Sequence, residues 1–524
     1  MELQDFINSR ASLRLDSKHQ KYQDILDSAL AKSERNWRTG ESTEPQSYFT
    51  HVTDVYLVWR QLIDLHRPTI DRIATNAGLT TERILQSSLL CVAFHDFGKL
   101  SSNFQDMMNA TSKTAYRSAQ RRNYRHEIIS LPLVDYFAQK LNEKHGHVLT
   151  DGHLEALAVA GHHRFLADDY LFNSERYHQL IRWDDYGIDD AIVASSLFAQ
   201  VMFSQLGWEL PITKSIRNQR ELLSNKSENV PFARLKAARD ACLDDDNHPR
   251  FRNVFAVLKG LLMVADWRAS SGIEFPEMLN AASGSVVIPT TSLLPFVKSK
   301  VENAGKKFQG FRAFQKECGE SAGHVLAIAP TGSGKTEAAF LWALNQVESG
   351  VCQKVFFLLP TMVTANSLYD RAKAFFKDEY GHEVGLIHST ADLVRADKNI
   401  NGDDEQDMLT VQGGPLAERH FFNPVTIGTV DQLLNSLFHA GRWPLKTFAA
   451  MNAAIVIDEI HAYDPHTAGL ISLMLTQISE AGGRFMVMSA TMPEDMKAIV
   501  RQSLTSKHPL PLHEVSDHEL LDSA

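Results

Sequence analysis

The sequence predicts a multidomain chain, with an all-α domain followed by an α/β domain built on a doubly wound, mostly parallel sheet. Three observations carry that expectation. Apolar residues recur at three- and four-residue intervals through the first half. After about Ser270 they gather into short β-rich runs separated by helical patterns, as strands alternating with helices do. The 524 residues correspond to about three domains at ~150 residues each. The expected division is 1–275 for the helical domain, 276–300 for a linker and 301–524 for the α/β domain. Ser283 to Thr291, with Gly284 and Pro289, supplies the linker composition.

In the first half, His51-Val52-x-x-Val55-Tyr56-x-Val58-Trp59-x-x-Leu62-Ile63 has the spacing of one buried helix face. Similar periods run through Ile84–Phe97, Ile128–Leu141, Leu154–Ala160 and Val254–Trp267, with Gly98 and Gly161 placed as glycine caps. In the second half, strands are expected at Val325–Ala329, Val355–Leu359, Val425–Gly428, Ala454–Asp458 and Phe485–Ser489. The acidic stretch Asn401–Asp407 is expected to be a surface loop.

Composition narrows the class. Hydrophobic residues at 44% and charged residues at 22% exclude disordered, collagenous and coiled-coil chains. The net charge of −10 argues against coating nucleic acid non-specifically, while leaving room for a local basic groove. Cys91, Cys242, Cys318 and Cys352 stand far apart, which excludes a disulfide framework and a cysteine-rich zinc site. Asp5, Asn8 and Arg10 occupy the place of a signal-peptide core, and no apolar run approaches the ~20 residues of a membrane helix. The expectation is a soluble, cytoplasmic protein with no membrane partner.

A phosphate site is legible in the second half. Ala329-Pro330-Thr331-Gly332-Ser333-Gly334-Lys335-Thr336 follows an apolar run and precedes a helical one. Gly332, Ser333 and Gly334 let the loop curl so that backbone N–H groups face phosphates at a helix N-terminus. Lys335 supplies a point charge, and the Thr336 hydroxyl can hold Mg²⁺. Further on, Ile455-Val456-Ile457-Asp458-Glu459-Ile460-His461 is an apolar strand ending in two carboxylates. Asp458 is suited to the Mg²⁺ and Glu459 to orienting the attacking water. Thr361, Asn366 and Thr429 fall at strand ends, where polar groups can grip a phosphodiester backbone. Gln315 lies upstream, either reading an adenine or simply exposed.

The first half is marked by His51, the pair His95-Asp96, His126, the pair His162-His163 and Asp266. Five histidines and two aspartates in this order can supply two neighbouring metals, with Asp96 bridging through both oxygens. Imidazole ligands suit Fe, Mn, Co, Ni or Zn. Two such ions activate water and stabilise the leaving oxygen of a phosphodiester. Lys99 is either a neutraliser of the scissile phosphate or a solvated lysine at a helix end. His145, His147 and His153, in polar surroundings, are expected at the surface. Lys113, Arg117, Arg121, Arg122 and Arg125 share a helical spacing with Tyr116 and Tyr124 among them. The strip is either a solvated face or a track for a polyanion with tyrosines for base stacking.

The phosphate loop, Asp458-Glu459-Ile460-His461 and Ser489-Ala490-Thr491 together resemble the first RecA-like domain of a superfamily 2 helicase. The order H…HD…H…HH…D is similar to the HD phosphohydrolase superfamily. In combination, the two halves resemble the CRISPR-associated helicase–nuclease family of type I systems. The resemblance implies that His51, His95, Asp96 and Asp266 hold one metal, and that Asp96, His126, His162 and His163 hold the other. It also implies ATP with Mg²⁺ in the RecA-like domain, single-stranded DNA as substrate, and recruitment by an RNA-guided surveillance complex. The enzyme would nick the displaced strand and translocate 3′ to 5′ along it. The sequence runs only about thirty residues past Ser489-Ala490-Thr491, so a second RecA-like domain is expected from elsewhere, with near-background ATPase activity without it. Two other readings stay open: a phosphohydrolase acting on nucleotides, and a non-catalytic module that binds nucleic acid or the effector complex.

Overall fold

The computed structural model describes residues 3–34, 42, 44–122, 125–146, 148, 152–163, 189–211, 230–243, 249–271, 284–387, 421–438, 442–505 and 510–517. They form two compact units, the second beginning at Gly284. The expected surface loop at Asn401–Asp407 lies outside the described residues.

The first unit is helical. Its helices are α1 (Leu3–Ser12), α2 (Gln20–Ser28), α3 (Tyr48–Leu65), α4 (Arg67–Asn76), α5 (Thr81–Phe94), α6 (Ser102–Met108) and α7 (Lys113–Arg122). They continue with α8 (His126–His145), α9 (Leu154–Ala160), α10 (Asp189–Ser204), α11 (Val230–Leu243) and α12 (Pro249–Ser270). A small antiparallel pair, β1 (Leu30–Lys32) and β2 (Gln46–Ser47), departs from the all-α expectation. Helix α12 packs along α3, α5 and α9, because its apolar positions are buried on nearly every side from Val254 to Ala265. Gly161 caps α9 as expected, at a negative φ of −102°, while Gly98 lies inside the turn after His95 and caps no helix. Gly98 is required for a different reason: a Cβ there would lie 2.1 Å from the carbonyl oxygen of His126.

The second unit carries seven strands, β3 (His324–Ile328), β4 (Lys354–Leu359), β5 (Val384–Ile387), β6 (Val425–Thr429), β7 (Ala453–Ile457), β8 (Arg484–Ser489) and β9 (Leu512–Ser516). They pair in the order β5-β6-β4-β7-β8-β3-β9, every pair parallel. Edge strands β5 and β9 were not expected; they are short, and Leu512-His513-Glu514-Val515-Ser516 is mostly polar. The other helices are α13 (Leu293–Asn303), α14 (Ala313–Glu320), α15 (Lys335–Glu348), α16 (Met362–Ala372), α17 (Val430–Leu434), α18 (Trp443–Ala450), α19 (Pro465–Ala481) and α20 (Glu494–Thr505).

Alternation of side chains across the pleat makes this sheet doubly wound. Val325, Phe357 and Val456 enter one core with Phe340 and Trp342 of α15. Leu326, Phe356 and Ile455 point the other way, into a core with Ile471, Leu475 and Val500. Residues 284–300 of the expected linker belong to the first of these cores. Val286, Ile288, Leu293 and Val297 are buried in it, and the Val286 N–H donates to the Gln353 carbonyl at 2.8 Å. Its Gly and Pro punctuate a packed segment, and 276–283 lie outside the described residues.

Candidate metal centre and nucleotide site

Helix ends position the histidine cluster. Ser47 caps α3, accepting from the Thr50 N–H at 3.1 Å, and His51 follows on the first turn. Thr80 caps α5, which stops at Phe94 and sets His95 and Asp96 at its C-terminal end. His126 opens α8, His162 and His163 follow the end of α9, and Asp266 comes from α12. Their facing atoms form two groups, His51, His95, Asp96 and Asp266 in one, and Asp96, His126, His162 and His163 in the other. Within each group these atoms lie within 4.8 Å of one another.

Asp96 belongs to both groups. Its Oδ2 lies 2.8 Å from His51 Nε2 and 3.1 Å from His95 Nε2. Its Oδ1 lies 3.3 Å from His126 Nε2 and 3.8 Å from His162 Nε2. Asp266 Oδ1 sits 3.4 Å from His51 Nε2, and His163 Nε2 sits 3.1 Å from His126 Nε2. All are buried except His163, which is half-buried.

Orientation of the imidazoles follows from what their outer nitrogens touch. His95 Nδ1 lies 2.9 Å from the Val92 carbonyl, and His162 Nδ1 lies 2.5 Å from the Val159 carbonyl. A carbonyl only accepts, so each Nδ1 carries a proton and each Nε2 faces inward, where it offers a lone pair once any proton on it is displaced by a metal. Those carbonyls are available because the last turn of a helix leaves its C=O groups without intrahelical partners. His126 stands at a helix start, where orphaned groups are N–H donors instead. Its Nδ1 faces Glu127 Oε2 at 3.5 Å, and Glu127 is held by Arg125, whose Nε donates to Oε1 at 2.7 Å.

The donor set fits divalent metals. The Nε2 atoms of His51, His95 and His162 and both oxygens of Asp96 are buried without an aligned hydrogen bond, a costly arrangement unless something binds there. Mixed imidazole and carboxylate ligands suit first-row transition ions. Burial opposes the charge on Asp96, but His95 and Lys99 outweigh it and hold the carboxyl well below its usual range. Burial likewise opposes the charged form of His95, yet Asp96 and Asp266 push the imidazole up to about 10. Burial and the neighbouring His163 push His162 down to about 4.

Lys99 is not a solvated lysine. It is 6% exposed, and its Nζ lies 3.0 Å from Asp96 Oδ2. His153 is not at the surface either; it is buried and its Nδ1 lies 2.6 Å from Asp135 Oδ1, while His145 is exposed and His147 lies outside the described residues. On α7, Lys113, Arg117 and Arg121 share one exposed face. Tyr116 is buried with Phe104, Met107, Met108 and Ala119, so it offers no ring for base stacking. Arg125 is engaged by Glu127, and the Arg122 side chain and Tyr124 lie outside the described residues. Sequence reasoning missed Glu127, and its signal was adjacency to His126.

The candidate nucleotide site stands at the C-terminal edge of the parallel sheet, where α/β folds bind ligands. The loop between β3 and α15 turns through Gly332 (φ 85°) and Gly334 (φ 87°). A Cβ on Gly334 would lie 2.1 Å from Gln315 Nε2. Gln315 is buried rather than exposed, donating to the Gly334 carbonyl at 3.1 Å and accepting from the Arg312 N–H at 2.9 Å. Ser333 is buried in the loop, its N–H 3.2 Å from the Pro330 carbonyl. Thr336 and Asp458 line one cavity together with Thr364 and Arg371. Lys335 Nζ reaches Glu459 Oε1 at 3.2 Å, and burial, then Glu459, push the Asp458 carboxyl up. His461 Nδ1 meets Ser489 Oγ at 2.7 Å, tying the carboxylate strand to the next one.

Thr361 and Asn366 are exposed at the start of α16, where Thr361 Oγ1 caps the helix by accepting from the Thr364 N–H at 3.2 Å. Thr429 is buried at the end of β6. Leu359 and Thr429 are partners across β4 and β6, so Thr361 and Thr429 come to the same sheet edge, whereas Asn366 stands within α16 rather than at a strand end.

A helical histidine–aspartate cluster whose two groups share Asp96, and a glycine-rich loop beside paired carboxylates on a parallel sheet, are the features of an HD-type hydrolase domain and a DExH RecA-like domain. Residues 31–275 match the family model described as Cas3, HD domain, and residues 312–499 match the DEAD/DEAH box helicase model. The chain therefore carries a Cas3-type HD domain followed by a DEAD/DEAH-type helicase domain. It is 24% identical over 421 residues to the putative CRISPR-associated nuclease/helicase Cas3 of Methanocaldococcus jannaschii, covering 76% of this chain and 53% of that protein. It is 33% identical over 189 residues to the CRISPR-associated endonuclease/helicase Cas3 of Thermus thermophilus, covering 32% and 20%. The crystal structure of T. fusca Cas3 with AMPPNP shares the fold, with a TM-score of 0.53 at 18% identity over 94% of this chain and 54% of that one. The chain thus spans about half the length of such relatives. Among the described residues, no helix is long and apolar enough to cross a membrane.

Proposed function

We propose that the chain is a metal-dependent nuclease of single-stranded DNA, joined to an ATP-binding motor domain that drives 3′ to 5′ translocation. Its substrate would be the strand displaced by an RNA-guided type I CRISPR surveillance complex. The observation that carries this reading is Asp96, whose two oxygens face two separate sets of histidines. His51, His95, Asp96 and Asp266 would hold one divalent transition ion (Fe, Mn, Co, Ni or Zn), and Asp96, His126, His162 and His163 the other. Bound there, such a pair supplies an activated water and charge stabilisation at a phosphodiester.

The chain's own residues do the rest. His95 and His162 keep their Nδ1 protons, donated to the Val92 and Val159 carbonyls, which leaves Nε2 as the metal-binding atom. Lys99, drawn against Asp96, adds positive charge beside the scissile phosphate. Arg117 and Arg121, with Lys113, would draw the strand along α7, and Thr361 and Thr429 at the sheet edge, with Asn366 on α16, would hold its backbone. In the motor domain, Gly332, Ser333, Gly334, Lys335 and Thr336 cradle the ATP phosphates, Gln315 steadies the loop near the base, Asp458 holds Mg²⁺ and Glu459 orients water.

Elemental analysis of the purified chain, coupled to single-stranded DNA cleavage with and without chelator, tests the reading. Two transition ions per chain and cleavage stopped by chelator are expected. A protein that folds, binds no metal and retains DNA binding would favour the non-catalytic alternative.

A further inference from the structure

Ser130 is fully buried one turn into α8, and its hydroxyl meets three backbone groups at once. It accepts from the Gly98 N–H at 3.0 Å. Its single proton faces the His95 carbonyl at 3.0 Å and the His126 carbonyl at 2.9 Å. His95 belongs to one ligand group and His126 to the other, and Asp96, which both share, lies in the turn between His95 and Gly98.

Two features make this hydroxyl more than a satisfied core serine. His126 is the first residue of α8, where a helix has the fewest backbone restraints. The backbones of Gly98 and His126 also approach so closely that no Cβ fits between them. The distance from Asp96 Oδ1 to His126 Nε2 therefore depends on how the start of α8 is seated on the His95–Gly98 turn.

We propose that Ser130 is a positioning residue for the dimetal centre, a latch between the HD turn and α8 that sets the spacing of the two ligand groups. The proposal rests on the two-metal reading of the histidine cluster. Removing the hydroxyl leaves the group of His51, His95, Asp96 and Asp266 intact and lets His126 drift from Asp96. Outer partners of metal ligands are commonly worth about 10- to 100-fold in affinity, and here that loss should fall on the second ion alone.

The test is Mn²⁺ titration of the full chain followed by electron paramagnetic resonance, which separates an exchange-coupled ion pair from single ions. Wild-type protein should show the coupled pair. Ser130→Ala should take the first Mn²⁺ with wild-type affinity, bind the second about 10- to 100-fold more weakly, and lose the coupled signal. Ser88→Ala, which deletes another fully buried hydroxyl bonded to Trp59 Nε1 at 2.8 Å, should lower the melting temperature and keep the coupled signal. Should Ser130→Ala fail to fold, Ser130→Cys keeps the volume with a weaker donor and carries the same expectation. Coupled ions at wild-type affinity in the folded Ser130 variant overturn the latch alone. Absence of paired ions in wild-type protein overturns the two-metal reading and the latch with it.

Discussion

Lys335 and Glu459 meet across the phosphate loop, Nζ to Oε1, at 3.2 Å. The lysine is expected to grip the β- and γ-phosphates and the glutamate to orient the attacking water, so ATP must compete with Glu459 for the same ammonium. Glu459→Gln should remove that competitor. The pair is partly exposed, at 10% and 30%, so its net worth is about 1 kcal/mol at most. ATP binding should tighten by no more than about fivefold, as read by fluorescent nucleotide titration. Weaker binding in the variant would show that Glu459 holds Lys335 in place for the nucleotide.

Asp96→Ala removes the ligand that both groups share. Neither ion keeps a full set, so metal content should fall from two to none and DNA cleavage should drop to background. ATP binding at Lys335 and Thr336 should survive unchanged. Retention of wild-type cleavage by this variant would sink the metal assignment.

Proton occupancy in the metal-free centre gives a distinct pH profile. His95 is pushed up to about 10 from an ordinary 6.5, so its stabilisation is complete below pH 6.5 and is lost as pH climbs towards 10. His51 shifts in the same direction, against burial, through Asp266 and Asp96. His162, pushed down to about 4 by burial and His163, does the opposite: its contribution is present above 6.5 and lost as pH falls. Chelated protein should therefore melt at its highest temperature near pH 6.5 and fall on both sides. Saturating Mn²⁺ displaces the protons and should flatten the alkaline limb. A chelated protein whose melting temperature keeps rising between pH 6.5 and 10 would contradict a charged His95.

Both cores were legible because their signals are periodic. The three-to-four-residue spacing of Val52, Val55, Trp59 and Leu62 gave α3, and the apolar runs gave the five strands of the sheet other than its edges. Edge strand β9 escaped because an edge buries few of its side chains, and Leu512-His513-Glu514 therefore shows no apolar pattern. Gly98 was read as a helix cap, although its glycine answers to a tertiary contact with His126 that no local pattern reports. Polar neighbours make His153 look exposed, because the sequence around it says nothing about a buried partner such as Asp135; the bond from Gln315 to the Gly334 carbonyl is equally invisible to its neighbours. The histidine positions were legible from residue type and order; how Val92, Val159 and Glu127 orient them was not.

The exposed face of α7 gives the last test. Lys113, Arg117 and Arg121 are exposed at four-residue intervals on one side, and Tyr116 between them is buried against Phe104 and Met107. If this face tracks a single strand, its contribution is electrostatic and carries no stacking. Each phosphate contact on a single strand adds about 0.7 to the slope of log affinity against log salt concentration. The triple variant Lys113→Gln, Arg117→Gln, Arg121→Gln should bind DNA more weakly at low salt, with a slope reduced by about 2, and the difference should fade at high salt. The loss should be equal for all base compositions. Tyr116→Phe, which keeps the buried ring, should bind as wild type. Metal content should be unaffected in both, because none of these side chains belongs to a ligand group. An unchanged salt slope in the triple variant would make α7 a solvated face and move the DNA path elsewhere.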